Sequence, residues 1–334
     1  MKQNLHTHTT YCDGKSSVQE MIRSALQKDF DVLGFSGHSF TSFDKSYCMS
    51  EEDTSKYAEE VLSAKKFFKE DPKGAAKFFA PDMEYVKPLR IYLGIEEDLY
   101  SDELALRRAS GIFNPGDAGG IYDYVIGSTH AFRLTWKEIA DIRGRAEGLP
   151  GPEMNGIRSA KEGMYIYVDY GSEPFRWAAE NIYGGDFMAI ARDYFRDEGR
   201  IVADTDCDIV GHFDLLLKFN EAENFFDEDS GRYKALRDDA LERIFSDFRS
   251  KGRQPVFEIN TGAMARGYRT SPYPSLDSLM IIGEMGGQIL INSDCHQAEL
   301  LDFGFDEAMK TAGKAGFREA LFVTPEGKAE SMKL

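Results

Sequence analysis

The sequence predicts an α/β protein built from parallel strand–helix units. Short apolar runs alternate with longer amphipathic stretches along most of the chain, and seven of the apolar runs end in a polar cluster. The chain length sets the scale: 334 residues suffice for one barrel or two modest domains.

The strand-like runs, in order, are "QNLH", "DVLGFSGHS", "RIYLGIEED", "YDYVIGSTH", "CDIVGHFD", "PVFEIN" and "GQILINSDCH". Each is rich in Val, Ile, Leu, Phe or Tyr, the composition of a parallel strand buried on both faces. Helices are predicted over "SVQEMIRSALQKD", "EEDTSKYAEEVLSAKKFFKED", "GDFMAIARDYFRDEG", "YKALRDDALERIFSDFRSKG" and "SLDSLMIIGEMGG". Several open on Ser or Asp and stop at Gly or Asp-Pro, which cap and break helices. "EALFV" near the C-terminus reads as one more strand, with no chemistry-bearing residue behind it. The stretch from about Ser101 to Asp186 is less regular, and "NPGDAGG" and "GLPGPEMNG" within it are turn-rich. The expectation is a single domain over 1–334, with insertions at roughly 101–120 and 131–186 lying over the functional site.

The formal net charge of −17 repels phosphate backbones, which argues against a long nucleic-acid partner. Four cysteines without a C-x-x-C pair argue against a disulfide scaffold and for a reducing compartment. The first residues, "MKQNLHTHTT", lack the apolar core of a secretory signal, and no apolar stretch reaches bilayer length. The expectation is a cytoplasmic protein without a membrane partner. Its oligomeric state is left open.

The six histidines are His6, His8, His38, His130, His212 and His296, and each falls at or just past the end of a predicted strand. Asp13, Glu96, Glu97, Asp214 and Asp294 share those ends. A lone histidine in such a place is more often a hydrogen-bonded structural residue than a ligand. Six out of six is a different matter, because in a parallel barrel all strand ends of one polarity meet at one rim. His6 and His8 are two apart and share a strand face; so do Asp294 and His296, with Cys295 turned away. Imidazole with carboxylate suits zinc, manganese or iron. His6, His8, Asp13, His38, Glu96, His130, His212, Asp294 and His296 are nine donors, too many for one ion. Two or three divalent ions with a bridging carboxylate are expected.

In this order, "HTHTTYCDG", "GFSGHS", "GIEED", "GSTHAF", "GHFD" and "NSDCH" resemble the motifs of the PHP (polymerase and histidinol phosphatase) superfamily over almost the whole chain. "GHFDLLLKF" and "EINTG…SPYPS" resemble its histidinol-phosphate phosphatase branch. The resemblance implies a distorted (β/α)7 TIM-like barrel, in keeping with the seven strand units, and a trinuclear centre at the C-terminal rim of the strands. Carried over residue by residue, it gives His6, His8, Glu96 and Asp294 to a first metal. Asp13, where the family often has His or Asp, goes with His38 and His296 to a second. His130 and His212 take a third, with Glu96 bridging it to the first. No ligand position is missing, as it would be in a degenerate, non-catalytic relative. The segment between His130 and His212 is longer than in shorter members, which bears on the substrate rather than on the chemistry.

The implied activity is hydrolysis of L-histidinol phosphate to L-histidinol and phosphate, a step of histidine biosynthesis. Another small phosphate ester, such as a nucleotide or sugar phosphate, is the alternative. A barrel amidohydrolase would usually carry a lysine at a strand end, and none is evident. Clustered dications make a nucleophile of water and neutralise phosphoryl charge, so in-line attack by a bridging hydroxide is expected. Asp294, His296 and Glu96 are the candidate catalytic groups, and Asp294 or a metal-bound water beside it is a candidate proton donor to the leaving oxygen. Lys218, Arg266 and Arg269 follow strand ends and are candidate phosphate contacts, with Arg158 a weaker one. Ser39 either bonds the phosphate or caps its loop. Glu97, Asp98 or Asp214 are candidates for the substrate's ammonium and imidazole, although Asp214 fits better as an orienter of a metal-bound histidine.

Overall fold

Twelve strands occur among the described residues, labelled in chain order β1 (Gln3–Asn4), β2 (Val32–Phe35), β3 (Arg90–Asp98), β4 (Tyr124–Ser128), β5 (Ala131–Thr135), β6 (Ile157–Ser159), β7 (Gly163–Tyr167), β8 (Ile209–Val210), β9 (Val256–Asn260), β10 (Gln288–Asn292), β11 (Glu319–Val323) and β12 (Ala329–Lys333). The structure is a computed structural model that describes residues 1–84, 87–102, 112–113, 120–144, 149 and 155–334.

The seven predicted runs form one parallel sheet in the order β1-β2-β3-β4-β8-β9-β10. Representative pairs are Gln3 with Val32, Glu96 with Ile126, Val210 with Phe257 and Asn260 with Asn292. The outer strands meet beyond their ends: Thr7 bridges Cys295, the His8 N–H donates to the Cys295 carbonyl at 2.9 Å, and the Cys295 N–H donates to the His6 carbonyl at 3.2 Å. The sheet therefore comes close to closing into a barrel. A strand's two-residue period sorts its side chains. Leu5, Val32, Tyr92, Tyr124, Ile126, Ile209, Val256 and Leu290 cluster on the inner face, while Ile91, Leu93, Ile95, Val125 and Phe257 join the core beneath the helices. Tyr124 fills the barrel floor, where its hydroxyl donates to the Leu5 carbonyl at 2.5 Å. Gly34 and Gly94 make that possible, since a Cβ at either would lie 2.3 Å from Tyr124 atoms.

The five predicted helices are present as Val18–Gln27, Glu51–Glu70, Phe187–Glu198, Gly231–Ser250 and Leu276–Glu284. Ser17 and Glu20 form a reciprocal cap on the first, and Ser50 and Ser230 cap the second and fourth. Asp71-Pro72 ends one helix and also starts another, Pro72–Phe79, with Asp71 accepting from the Gly74 N–H. "EALFV" is β11, which pairs antiparallel with β12. The stretch 131–186 is more regular than its composition suggests. It carries an antiparallel sheet in the order β5-β7-β6 and the helices Trp136–Arg143 and Glu173–Asn181. Most of the expected insertion 101–120, with nearly all of "NPGDAGG" and most of "GLPGPEMNG", lies outside the described residues. Among the described residues no helix is long and apolar enough to cross a membrane.

Candidate metal centre

The parallel strands deliver the polar side chains to one end of the barrel. His6 and His8 leave β1, His38 follows β2, and Glu96 and Asp98 lie on the inner face of β3. His130, His212 and the pair Asp294/His296 follow β4, β8 and β10. Asp13 arrives on a turn that folds back on Thr9, whose carbonyl accepts from the Cys12 and Gly14 N–H groups. All nine candidate ligands meet there.

Glu96 lies at the centre. Its Oε2 is 3.2 Å from His6 Nε2, 3.3 Å from His8 Nε2 and 3.0 Å from His38 Nδ1. Its Oε1 is 3.0 Å from His212 Nε2 and 3.4 Å from His130 Nε2. Asp294 Oδ1 is 3.3 Å from His8 Nε2 and 3.7 Å from His6 Nε2. Asp13 approaches His296 Nε2 at 3.1 Å and His38 Nε2 at 3.6 Å. Three groups are compact enough to hold one ion each: His6–His8–Glu96, His8–Asp13–His38–His296, and Glu96–His130–His212. Glu96 belongs to the first and third, and His8 to the first and second. A fourth group is His38–Asp98–His130.

Two observations show that these residues fit divalent cations. Four buried atoms, His6 Nε2, His8 Nε2, His38 Nδ1 and Glu96 Oε2, make no hydrogen bond, although each nitrogen lies 3.0–3.3 Å from that oxygen. Their lone pairs converge on shared space rather than on one another, which is costly in a buried site unless a cation takes them. The second observation is electrostatic. Burial opposes protonation of His6, yet Glu258, Glu96 and Asp294 hold its pKa well above the usual imidazole value. Burial likewise opposes protonation of His130, but Asp98 and Glu96 raise it to about 10. Burial, His296 and His38 push His8 down to about 3. The carboxylates thus call for positive charge that six crowded imidazoles cannot all supply.

Two further carboxylates orient the imidazoles, as ligating histidines require. Glu258 on β9 is fully buried and holds His6 Nδ1 at 2.9 Å. It also accepts from the His212 N–H at 2.8 Å, Asn260 Nδ2 at 2.7 Å and Asn292 Nδ2 at 2.8 Å. Asp98 holds His130 Nδ1 at 2.5 Å and accepts from the Tyr47 hydroxyl at 3.3 Å. Glu258 escaped the sequence reading. Its signal was a single glutamate in the otherwise apolar "PVFEIN", two residues from Asn260 and so on the same face. Asp214 does not orient a histidine. It stands at φ 63°, and its carboxylate accepts from the Ser275 and Ser278 hydroxyls at 2.8 and 2.7 Å.

A cavity of about 530 Å³ opens over the cluster, lined by Asp13, His38, His130, Asp294 and His296 together with Lys15, Asp169, Lys218 and Arg266. Arg266 Nη2 donates to Asp294 at 3.0 Å, and its Nη1 lies 3.2 Å from His296 Nδ1. Burial opposes ionisation of Asp294, but Arg266 and His6 hold its carboxyl well below the usual range. Lys218 Nζ donates to the Asp169 carbonyl at 2.8 Å. Arg269 lies apart, buried, with its guanidinium on the Leu217 carbonyl at 2.9 Å and the Ser271 hydroxyl at 3.1 Å. Ser39 is buried against β3, its Oγ accepting from the Asp98 N–H at 3.2 Å. Glu97 takes the Ser101 hydroxyl, and Arg158 pairs with Asp44 at 2.9 Å.

The pattern of the PHP domain family matches residues 4–262. The chain belongs to the PHP domain family. A curated Deinococcus radiodurans protein named "probable histidinol-phosphatase" is 23% identical to this PHP chain over 322 residues, 95% of each. The crystal structure of the candidate histidinol phosphatase hisK from Listeria monocytogenes superposes with a TM-score of 0.60 at 18% identity, covering 91% of this chain and 99% of that one. A histidinol phosphate phosphatase from Lactococcus lactis subsp. lactis Il1403, solved with zinc, L-histidinol and phosphate, superposes with a TM-score of 0.55 at 15% identity over 98% of both chains. At these identities the two structures speak for the PHP fold, a TIM-like barrel.

Proposed function

We propose that this chain is a metal-dependent phosphatase that hydrolyses L-histidinol phosphate to L-histidinol and phosphate in the cytoplasm. The observation that carries the reading is the convergence of nine buried or cavity-facing donors, with four lone-pair atoms left unbonded, directly beneath a cavity walled by Lys218 and Arg266. The Deinococcus and Lactococcus relatives, by name and bound ligands, point to histidinol phosphate as the ester.

Two or three zinc, manganese or iron ions would be held by the nine residues: His6, His8 and Glu96 around one, His8, Asp13, His38 and His296 around another, Glu96, His130 and His212 around a third, with Asp294 beside the first. Such ions supply a nucleophile at neutral pH and neutralise charge on the transferring phosphoryl group. The protein does the rest. Lys218 and Arg266 face the phosphate oxygens, Lys218 as a point charge and Arg266 as a fork already anchored on Asp294. Asp294 lies between the cluster and the cavity, 3.3 Å from His8 Nε2 and 3.0 Å from Arg266, a position from which it can relay a proton from the attacking water to the leaving oxygen. Glu258 and Asp98 keep His6 and His130 in the tautomer whose free nitrogen faces Glu96. Arg269 and Ser39 serve the scaffold instead.

The test is a kinetic panel on protein loaded with zinc or manganese. L-Histidinol phosphate should be cleaved with kcat/KM at least tenfold above nucleoside monophosphates and sugar phosphates. A reversed ranking overturns the histidinol phosphate assignment and leaves the family membership standing.

A further inference from the structure

The cavity wall holds charges of both signs, and their partners separate them into two sets. Asp13 and Asp294 belong to the histidine cluster, at 3.1 Å from His296 and 3.3 Å from His8. Glu97 and Asp214 are committed to serines elsewhere, and Asp98 to His130. Among the described residues that line the cavity, one carboxylate remains outside the cluster, that of Asp169. It follows β7, the central strand of the antiparallel sheet carried by the long segment between His130 and His212. That position is rigid: the Val168 N–H donates to the His130 carbonyl at 2.9 Å, and the Tyr167 ring packs on Tyr47, which in turn packs on His38.

Lys218 is held by the main chain of Asp169 more closely than by its side chain. The lysine ammonium bonds the Asp169 main-chain carbonyl at 2.8 Å, whereas the carboxylate stands off at 3.6 Å. Lys218, Arg266 and Lys15 make the remaining wall cationic, and bound metal ions would add to that. With Asp13 and Asp294 engaged by the histidine cluster, Asp169 is the lining carboxylate left to attract a substrate cation.

We propose that Asp169 is a specificity residue that receives an ammonium group on the organic end of the substrate, so that the enzyme selects phosphate monoesters of amino alcohols. The inference rests on the phosphatase reading above and deepens it. The phosphate faces Lys218 and Arg266 over the metal cluster, while the ammonium takes the free side of the Asp169 carboxylate.

The experiment uses the full metal-loaded chain and two matched esters, 3-aminopropyl phosphate and propyl phosphate. The wild type should prefer the amine ester. Asp169→Asn should lower that preference, as a ratio of kcat/KM values, by about ten- to a hundredfold, with the change falling mainly on the KM of the amine ester. Asp169→Glu, which keeps the charge, should retain most of the preference and serves as the control for folding. Calorimetric binding of 3-aminopropylphosphonate against propylphosphonate should move in the same ratio. If Asp169→Asn slows both esters equally, the residue acts through Lys218 and the proposal is overturned. It is also overturned if the wild type shows no preference while still cleaving propyl phosphate, an outcome that leaves the phosphatase reading intact. Failure to cleave any phosphate ester would overturn both.

Discussion

Replacing Glu258 by Gln keeps shape and volume and removes one charge, and the structure predicts a large effect. Four donors surround the carboxylate. Oε1 takes the His212 N–H at 2.8 Å and Asn260 Nδ2 at 2.7 Å, while Oε2 takes His6 Nδ1 at 2.9 Å and Asn292 Nδ2 at 2.8 Å. Neither asparagine can turn round to help, because Asn260 Oδ1 already accepts from the Gly262 N–H and Asn292 Oδ1 from the Leu5 N–H, both at 2.8 Å. A glutamine amide must therefore point its NH2 group at two fixed donors on the Oε1 side, or at Asn292 Nδ2 on the Oε2 side, where His6 Nδ1 can accept only by changing its tautomer. Hydrogen bonds to a charged group contribute about 1.5–3 kcal/mol each, so losing at least one costs roughly 1.5–3 kcal/mol, with the displaced His6 tautomer in addition. Full burial of Glu258 leaves no solvent to compensate. The same change frees the tautomer of His6, and loss of such an orienting carboxylate weakens metal binding by roughly 10–100-fold. Urea unfolding in chelator reads the first quantity, and competition with a chromophoric chelator reads the second. A variant within about 1 kcal/mol of the parent and with unchanged metal affinity would refute the reasoning.

Three other outcomes are expected. Asp98→Asn should weaken one metal equivalent by about 10–100-fold, because the 2.5 Å contact to His130 Nδ1 fixes that imidazole; titration showing all equivalents unchanged would remove the role assigned to Asp98. Arg266→Ala should cut kcat/KM for any phosphate ester by roughly 10–100-fold and weaken inhibition by inorganic phosphate, since a phosphate-facing fork is lost; retained phosphate inhibition would contradict this. Glu198→Gln concerns pH. Burial pushes Glu198 up to about 8, whereas an unfolded glutamate titrates near ~4.3, so between those values the unfolded chain ionises and the folded one does not. The resulting destabilisation grows with pH across that window and levels off above it. The Tm advantage of the glutamine variant should therefore be absent in acid and widen up to about pH 8, and a pH-independent difference would oppose the assignment.

The seven barrel strands could be read because parallel strands buried on both faces are nearly continuous apolar runs, and each of these ended in a polar cluster. The meeting of His6, His38, His130, His212 and His296 followed from strand polarity alone, since one rim collects every C-terminal end. The three strands of the antiparallel sheet were harder to see. β6 is only Ile157–Ser159, and polar or turn-forming residues separate all three. Near the site, period two separates what could have been read from what could not. Asp98 is two residues from Glu96 and so shares its inward face, which points it at a histidine rather than at a substrate. Asp214 is two residues from His212, but its left-handed backbone swings the carboxylate off that face and onto Ser275 and Ser278. Arg266 and Arg269 are three residues apart in one loop, and spacing could not show that the first faces Asp294 and the second the Leu217 carbonyl.

The most direct measurement is the number of divalent ions retained per chain, read by elemental analysis after loading with zinc or manganese and removal of the excess. The account predicts two or three, falling when Glu96, shared by two of the ligand groups, is replaced by Ala. A pure, folded chain that takes up none from excess zinc, manganese or iron would contradict it.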